Sequence, residues 1–322
     1  REFLWQEGHT IHETAEEAIA ETEQQLETYA NLCENILAMP VIRGQKTDKE
    51  KFAGAERTYT IECMMHDRKA LQAGTSHYFG DGFPTAFDIT FTDKNNQQVH
   101  PYETSWGVST RIIGGIIMTH GDNNGLVLPP RIAPIQVIIL PIAAHKPGVT
   151  EAAEQLVERL KNQGLRAKGD FSDNSPGWKF AEYEMKGVPL RIEIGPKDLE
   201  KNQCVAVRRD NGEKITLSLD ELEQRVPELL DAVHDGLYAK AAKNIADHTY
   251  AAYSLEEAKQ LQEEHGGFIK TMWCGNLQCE LDMKEKAGMT SRCIPFQQEH
   301  LSDVCPICGK KAEKMVYWGV AY

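Results

Sequence analysis

Between Val41 and Ser109 apolar residues recur with a period near two, and turn-forming residues interrupt them at short intervals. Val41–Arg43, Thr58–Glu62, Ala86–Thr92 and Gln98–Glu103 read as strands, separated by segments such as Asp93-Lys-Asn-Asn96. A parallel pair needs a long crossover, so strands linked this briefly predict an antiparallel sheet for this part of the chain. The residues before it supply a strand and a helix. Phe3 and Trp5 alternate with Glu2 and Gln6, which predicts a strand over residues 1–9 that Gly8 stops, with Trp5, Glu7 and His9 on one face. Thr10-Ile-His-Glu13 has the pattern of a capping box, and Ala15, Ala18, Ile19, Leu26, Tyr29, Ala30, Cys33, Ile36 and Leu37 follow at helical spacing. A long amphipathic helix ending before Pro40 is expected, its acidic outer face in solvent.

With 322 residues, 41% of them hydrophobic, the chain is long enough for two or three domains with substantial cores. No run approaches the roughly 20 apolar residues of a membrane span, and no charged-then-apolar leader opens the sequence. A cytoplasmic protein with no membrane partner is expected. A net charge of −13 argues against a general DNA or RNA binder, so any nucleic-acid site must be local. The chain begins at Arg1 without Met, inside a motif, and is expected to be part of a longer protein.

Residues 106–134 read WGVSTRIIGGIIMTHGDNNGLVLPPRIAP. Leu126-Val-Leu128 looks like a short buried strand ended by Pro129-Pro130, with Arg131 opening a helix. An arginine there offers a permanently charged fork suited to a polyphosphate. On this stretch alone the simpler reading of the same residue is a salt-bridged arginine at a helix start. After residue 134 strands alternate with helices: Gln136–Leu140, a helix over 151–163, a strand through Phe171, a helix near 178–185, and Leu190–Ile194. That order predicts a small α/β domain with a largely parallel sheet. Residues 219–253 read as mostly helical, with Pro227 as a break. In the last segment Cys274-(x4)-Cys279 and Cys305-(x2)-Cys308 are two close thiol pairs, a pattern that suits tetrahedral zinc with no open position. Redox chemistry at Cys305–Cys308 is the competing reading, although no thioredoxin-like strand precedes it. Cys293 is left over and is expected to pack.

The 106–134 stretch, with its Gly-(x5)-Arg ending at Arg131 and with Arg111 and Ser105-Trp-Gly107 upstream, resembles motif 3 of the class II aminoacyl-tRNA synthetases. The opening REFLWQEGHT, GTSHYFG at 74–80 and the closing VYWGVAY narrow the resemblance to the prolyl-tRNA synthetases of the archaeal and eukaryotic type, over essentially the whole chain. Such a resemblance implies an α+β and α/β fold: an antiparallel class II catalytic core over 1–134, an α/β anticodon-binding domain over 135–238, and a zinc-binding α+β domain over 239–322. It also implies that Trp5, Glu7, Phe52, His77 and Trp106 line the amino-acid pocket, where aromatic walls suit proline's rigid ring and a carboxylate its secondary ammonium. By the same resemblance Gln72, Thr75, Ser109, Arg111 and Arg131 face ATP, with the two arginines catalytic through the phosphates. His77, Trp5 and Trp106 taken singly read as core residues; the joint pattern makes them pocket residues. SPGWKF, KGVPLRIEIGPKD and VAVRRD match the anticodon-binding domain, and Phe180, Glu184, Arg191, Lys197 and Asp198 are carried over as anticodon contacts. Arg208 and Arg209 are read as a solvated pair or as phosphate contacts. The family's zinc ligands match Cys274, Cys279, Cys305 and Cys308.

The implied reaction joins L-proline to tRNA(Pro) through an enzyme-bound prolyl-adenylate, using ATP with Mg²⁺, by positioning and charge neutralisation rather than covalent catalysis. The family's motif 1 and principal motif 2 arginine are expected upstream of Arg1, and a homodimer is expected through motif 1. The alternative is a non-catalytic tRNA-binding or regulatory paralogue.

Overall fold

The structure is a computed structural model and describes residues 2–322. Strand β1 (Trp5–His12) leads to α1 (Ala15–Asn31), which continues into a π-helical turn at Leu32–Ile36. Next come β2 (Ile42–Gln45), β3 (Arg57–Met64), β4 (Ala70–Gly80), α2 (Gly82–Ala86), the short pair β5 (Phe91–Thr92) and β6 (Gln98–Val99), β7 (Tyr102–Ser109) and α3 (Arg111–His120). The middle of the chain holds β8 (Val137–Pro141), α4 (Val149–Asn162), β9 (Ala167–Gly169), α5 (Pro176–Met185), β10 (Leu190–Ile194), α6 (Pro196–Leu199), β11 (Gln203–Arg208) and β12 (Lys214–Ser218). A 3-10 turn then enters α7 (Leu222–Asp247), followed by β13 (Thr249–Ala251), α8 (Leu255–His265), β14 (Phe268–Trp273), α9 (Leu277–Ala287), β15 (Thr290–Pro295) and β16 (Lys314–Gly319).

The chain forms two compact units, one of Arg1–Glu34, Pro40–Gly115 and Ala242–Tyr322, the other of Asn35–Met39 and Ile116–Ala241. The first is built on a nine-stranded sheet in the order β1-β7-β4-β3-β2-β15-β16-β14-β13. Every pairing in it is antiparallel except β13 with β14. The C-terminal segment therefore continues the sheet formed by the N-terminal strands, through the pairs Ile294–Gln45 and Pro295–Gly44. Gly44 is required there, because a Cβ would stand 2.5 Å from the Ile294 carbonyl oxygen.

Side chains lock this seam. Glu62, fully buried, accepts from Lys46 Nζ at 2.7 Å and from Arg292 Nη2 at 2.8 Å and Nε at 3.0 Å. Burial alone raises the Glu62 carboxyl; Lys46 and Arg292 together outweigh it, so its net shift is downward and it stays ionised. A buried ion pair of this kind specifies which strands meet more than it adds net stability.

Several local expectations change. β1 runs on through Gly8 to His12, because pairing with β7 extends to Tyr102. Thr10 is thereby drawn into the ladder, and the helix cap is Thr14, whose Oγ1 accepts from the Glu17 amide at 3.2 Å. Ala86–Thr92 is not one strand: α2 ends at Ala86 and only Phe91–Thr92 is extended. The long strand β4, which runs through the GTSHYFG motif, is an addition to the expected set.

In the second unit the sheet order is β12-β11-β10-β8-β9, with β9, β8 and β10 parallel and β11 and β12 antiparallel. The expected parallel sheet is thus half an antiparallel meander. Leu126–Leu128 is not a strand, and Arg131 opens no helix. The amides of Leu126 and Leu128 donate instead to the Met185 and Gly187 carbonyls, and a turn follows Pro129. Pro227 does not break α7. An interior proline costs ~3 kcal/mol, whereas Leu222, Val226, Leu229, Leu230 and Val233 are all buried along the helix, at roughly 1.5–3 kcal/mol each.

Candidate functional site

Strand registers place Glu7, Thr75 and His77 of the expected pocket in two rows on one face of the first sheet. His9, Ser105, His77 and Thr58 lie side by side across β1, β7, β4 and β3; Glu7, Gly107, Thr75 and Thr60 form the next row. Above them opens a 530 Å³ cavity lined by Trp5, Glu7, Phe52, Gln72, Thr75, His77, Trp106, Ser109 and Arg111. These are nine of the ten proline- and ATP-side residues expected from the sequence. Gly107 contributes no side chain between Glu7 and Thr75, so the row is open at its centre.

Trp106 reaches this cavity differently from the expectation. Alternation along β7 turns its side chain away from Ser105 and Gly107, toward the face where Ser76 Oγ donates to the Thr22 carbonyl of α1. Its ring lies against Gly8, where a Cβ would stand 2.3 Å from Cε2. The aromatic walls are therefore Trp5, in edge contact with Phe3 at 6.1 Å, and Phe52, whose ring centroid is 5.0 Å from that of His77. Phe79, Phe83 and Phe87 extend the apolar wall.

His77 Nδ1 is 3.0 Å from Thr58 Oγ1, and burial lowers its pKa to about 4. The ring is neutral at pH 7, a hydrogen-bonding wall rather than a cation. Because its folded value lies below the unfolded 6.5, the unfolded chain binds that proton first. The stability tied to neutral His77 is therefore complete above pH 6.5 and lost as pH falls to about 4. The loss reaches about 3 kcal/mol. Denaturant midpoints between pH 7 and 4 should fall, and His77→Asn should flatten that slope whatever its absolute stability; equal slopes would contradict a buried neutral ring.

Arg111 is the first residue of α3, immediately after β7. Arg111 thus stands on a strand-to-helix junction, and Arg131, expected on one, does not. Its guanidinium is exposed on the cavity lining and makes no ion pair among the described residues. Arg131 belongs to the second unit, where it donates to the Asn35 carbonyl and lies 3.9 Å from Asp231. Two titratable residues that sequence reading did not assign also line the cavity: His9, 3.1 Å from Glu7 Oε1, and Glu103. The period-two alternation from Trp5 to His9 was the signal for the first.

In the second unit Glu184 and Arg191 line a 450 Å³ cavity. The Arg191 guanidinium lies 4.2 Å above the Phe180 ring and donates to Glu193 at 2.9 Å. Arg208 is paired with Asp210 at 2.7 Å and Arg209 with Asp122 at 2.7 Å, so neither is a free phosphate contact. The row Arg191, Val207, Lys214 crosses β10, β11 and β12, and Lys214 is the cation lining this cavity that has no ion pair among the described residues. Lys197 and Asp198 lie outside the lining, on α6, where Asp198 Oδ2 accepts from the Gly195 amide at 2.9 Å.

The four cysteines converge. Their sulfurs lie within 4.8 Å of one another, with Cys274 Sγ 3.7 Å from Cys279 Sγ and 3.6 Å from Cys308 Sγ. A tetrahedral site with metal–sulfur bonds of ~2.3 Å has sulfur–sulfur edges of ~3.8 Å, so the donor set fits such an ion. The second pair sits in a tight turn: the Gly309 amide donates to the Cys305 carbonyl at 2.8 Å, and Gly309 has φ +71°. The Lys310 amide, aimed at Cys308, lowers that thiol to about 7. Cys293 is buried and outside the cluster.

Comparison with known proteins gives three family matches: "tRNA synthetase class II core domain (G, H, P, S and T)" over residues 1–120, "Anticodon binding domain" over 136–229, and "Prolyl-tRNA synthetase, C-terminal" over 255–322. The chain is 60% identical over 321 residues to a proline–tRNA ligase of Clostridium novyi (strain NT), 59% over 321 to proline–tRNA ligase 2 of Bacillus thuringiensis (strain Al Hakam), and 58% over 322 to a proline–tRNA ligase of Lachnospira eligens. Each match takes in 100% of this chain and 67% of the relative. No helix among the described residues is long and apolar enough to cross a membrane.

Proposed function

The chain belongs to the proline–tRNA ligase family of class II synthetases, and on that premise we propose that it joins L-proline to tRNA(Pro) with cleavage of ATP. The observation that carries this reading is the convergence of nine expected substrate residues on one cavity. Proline's carboxylate oxygen attacks the α-phosphorus of ATP, which enters as its Mg²⁺ complex; the bond to pyrophosphate breaks and prolyl-adenylate forms. A terminal ribose hydroxyl of the tRNA then attacks the acyl carbon, and AMP leaves. Glu7 binds the proline ammonium, and Trp5 and Phe52 exclude water from its ring. Gln72, Thr75 and Ser109 orient the nucleotide. Arg111 and the α3 N-terminus meet the charge that develops on the phosphates.

Phe180, Glu184 and Arg191 form the anticodon site, stacking and reading bases, and Lys214 adds a cation for the RNA backbone. Lys197 and Asp198 stand in the proposal on the resemblance alone, as do a homodimer and a cytoplasmic location. The cysteine cluster holds structural zinc, which braces the C-terminal segment and takes no part in the reaction.

The test is amino-acid-dependent ATP–pyrophosphate exchange by the full-length protein. Exchange should require proline, with kcat/KM for alanine lower by about 10²-fold or more, since each missing methylene in an apolar pocket is worth roughly 10- to 200-fold. Binding of tRNA without exchange under any amino acid would favour a non-catalytic paralogue.

A further inference from the structure

The link between β2 and β3, residues 46–56, carries Phe52, and its anchoring reaches far beyond the catalytic sheet. The Thr47 carbonyl accepts from the Glu50 and Lys51 amides at 3.1 and 2.9 Å, forming a turn that ends at Phe52. At its far side the Phe52 amide donates to Thr58 Oγ1 at 3.0 Å, the same hydroxyl that meets His77. At its near side the Thr47 hydroxyl donates to Glu280 Oε1 at 2.8 Å, and the Ser291 hydroxyl donates to that same oxygen. Thr47, Glu280 and Ser291 are all buried, and Glu280 makes no ion pair among the described residues. A buried carboxylate held only by hydroxyls is intolerant of losing either of them. Glu280 lies on α9, one residue after Cys279 of the cysteine cluster.

We propose that Glu280 and Thr47 are positioning residues for the amino-acid pocket: the helix that carries Cys279 holds, through the Glu280 carboxylate, the turn that presents Phe52 to the substrate. The proposal rests on the reading of the cavity as a proline site. It assigns the C-terminal segment a part in proline affinity that its distance along the chain from Phe52 does not announce. The cysteine cluster sets the position of α9; α9 sets Thr47; Thr47 sets the start of the turn, and the Thr58 hydroxyl its end.

Thr47→Val, which removes the hydroxyl and keeps the shape, is compared with Thr47→Ser, which restores it, in the full-length protein. Thr47→Val should raise KM for proline about tenfold, the equivalent of one hydrogen bond to a charged group, with KM for ATP within about twofold, a change too small to count as a lost contact. Zinc per chain should be unchanged, and backbone amides of residues 48–53 should exchange hydrogen faster. Thr47→Ser should return both KM and exchange toward the parent. A Thr47→Val protein with parental proline KM and parental exchange overturns the proposal, and so does an equal rise in both KM values, which would mark a merely structural residue. If the unsubstituted protein activates no amino acid, the reading of the cavity fails and takes the proposal with it, an outcome distinct from a Thr47→Val protein that behaves as its parent.

Discussion

Arg111→Ala should lower proline-dependent ATP–pyrophosphate exchange by about 10²-fold or more, the usual loss when one group that meets developing transition-state charge is removed. The reason lies in its surroundings. Arg111 stands at the N-terminus of α3 on the cavity lining, without a carboxylate partner among the described residues, so its charge is available to a phosphate. Binding of tRNA should be affected far less, because residues 136–229, which match an anticodon-binding domain, do not include Arg111. Arg131→Ala should have the smaller effect on exchange, since that guanidinium is already engaged by Asn35 and Asp231. The reverse ranking would favour Arg131 as the motif's arginine.

The second large effect concerns the cysteine cluster. Zinc should be present at about one per chain, the stoichiometry of a single four-thiolate site, and Cys305→Ser should abolish it. Metal binding in small thiolate sites contributes folding free energy on the order of 10 kcal/mol, far more than a single core side chain. Here the damage should not stay local. Strands β13 to β16 share one sheet with the strands that carry the cavity, and Arg292 of β15 is a partner of buried Glu62. Loss of the metal should therefore lower the thermal midpoint of the catalytic region as well, read by hydrogen exchange at β3 and β4. A Cys305–Cys308 disulfide with no metal in the purified protein would favour the redox reading instead.

Local sequence pattern settled a good part of this molecule. Alternation of Trp5, Glu7 and His9 identified the cavity face of β1, and the register of the sheet carried that face on to Ser105, His77 and Thr58. The two cysteine pairs announced their cluster by spacing alone, and the order of strands and helices announced the α/β middle of the chain. Period and spacing succeed here because they depend on neighbours in the chain. They fail where the deciding partner is remote. Gly8 reads locally as a strand stop, but pairing with β7 carries β1 through it, and the Trp106 ring occupies the space its missing Cβ leaves. Pro227 reads as a break, but burial along α7 outweighs one lost hydrogen bond. Arg208 and Arg209 read as a basic pair, but Asp210 and Asp122 lie against them. The largest case of this kind is the β2–β15 seam, where Lys46 meets the Arg292 carbonyl across 246 positions of sequence. No local period encodes such a pairing; it is decided by which buried charges and which sheet edges find partners once the chain is closed, and it places the C-terminal strands in the same sheet as the substrate cavity.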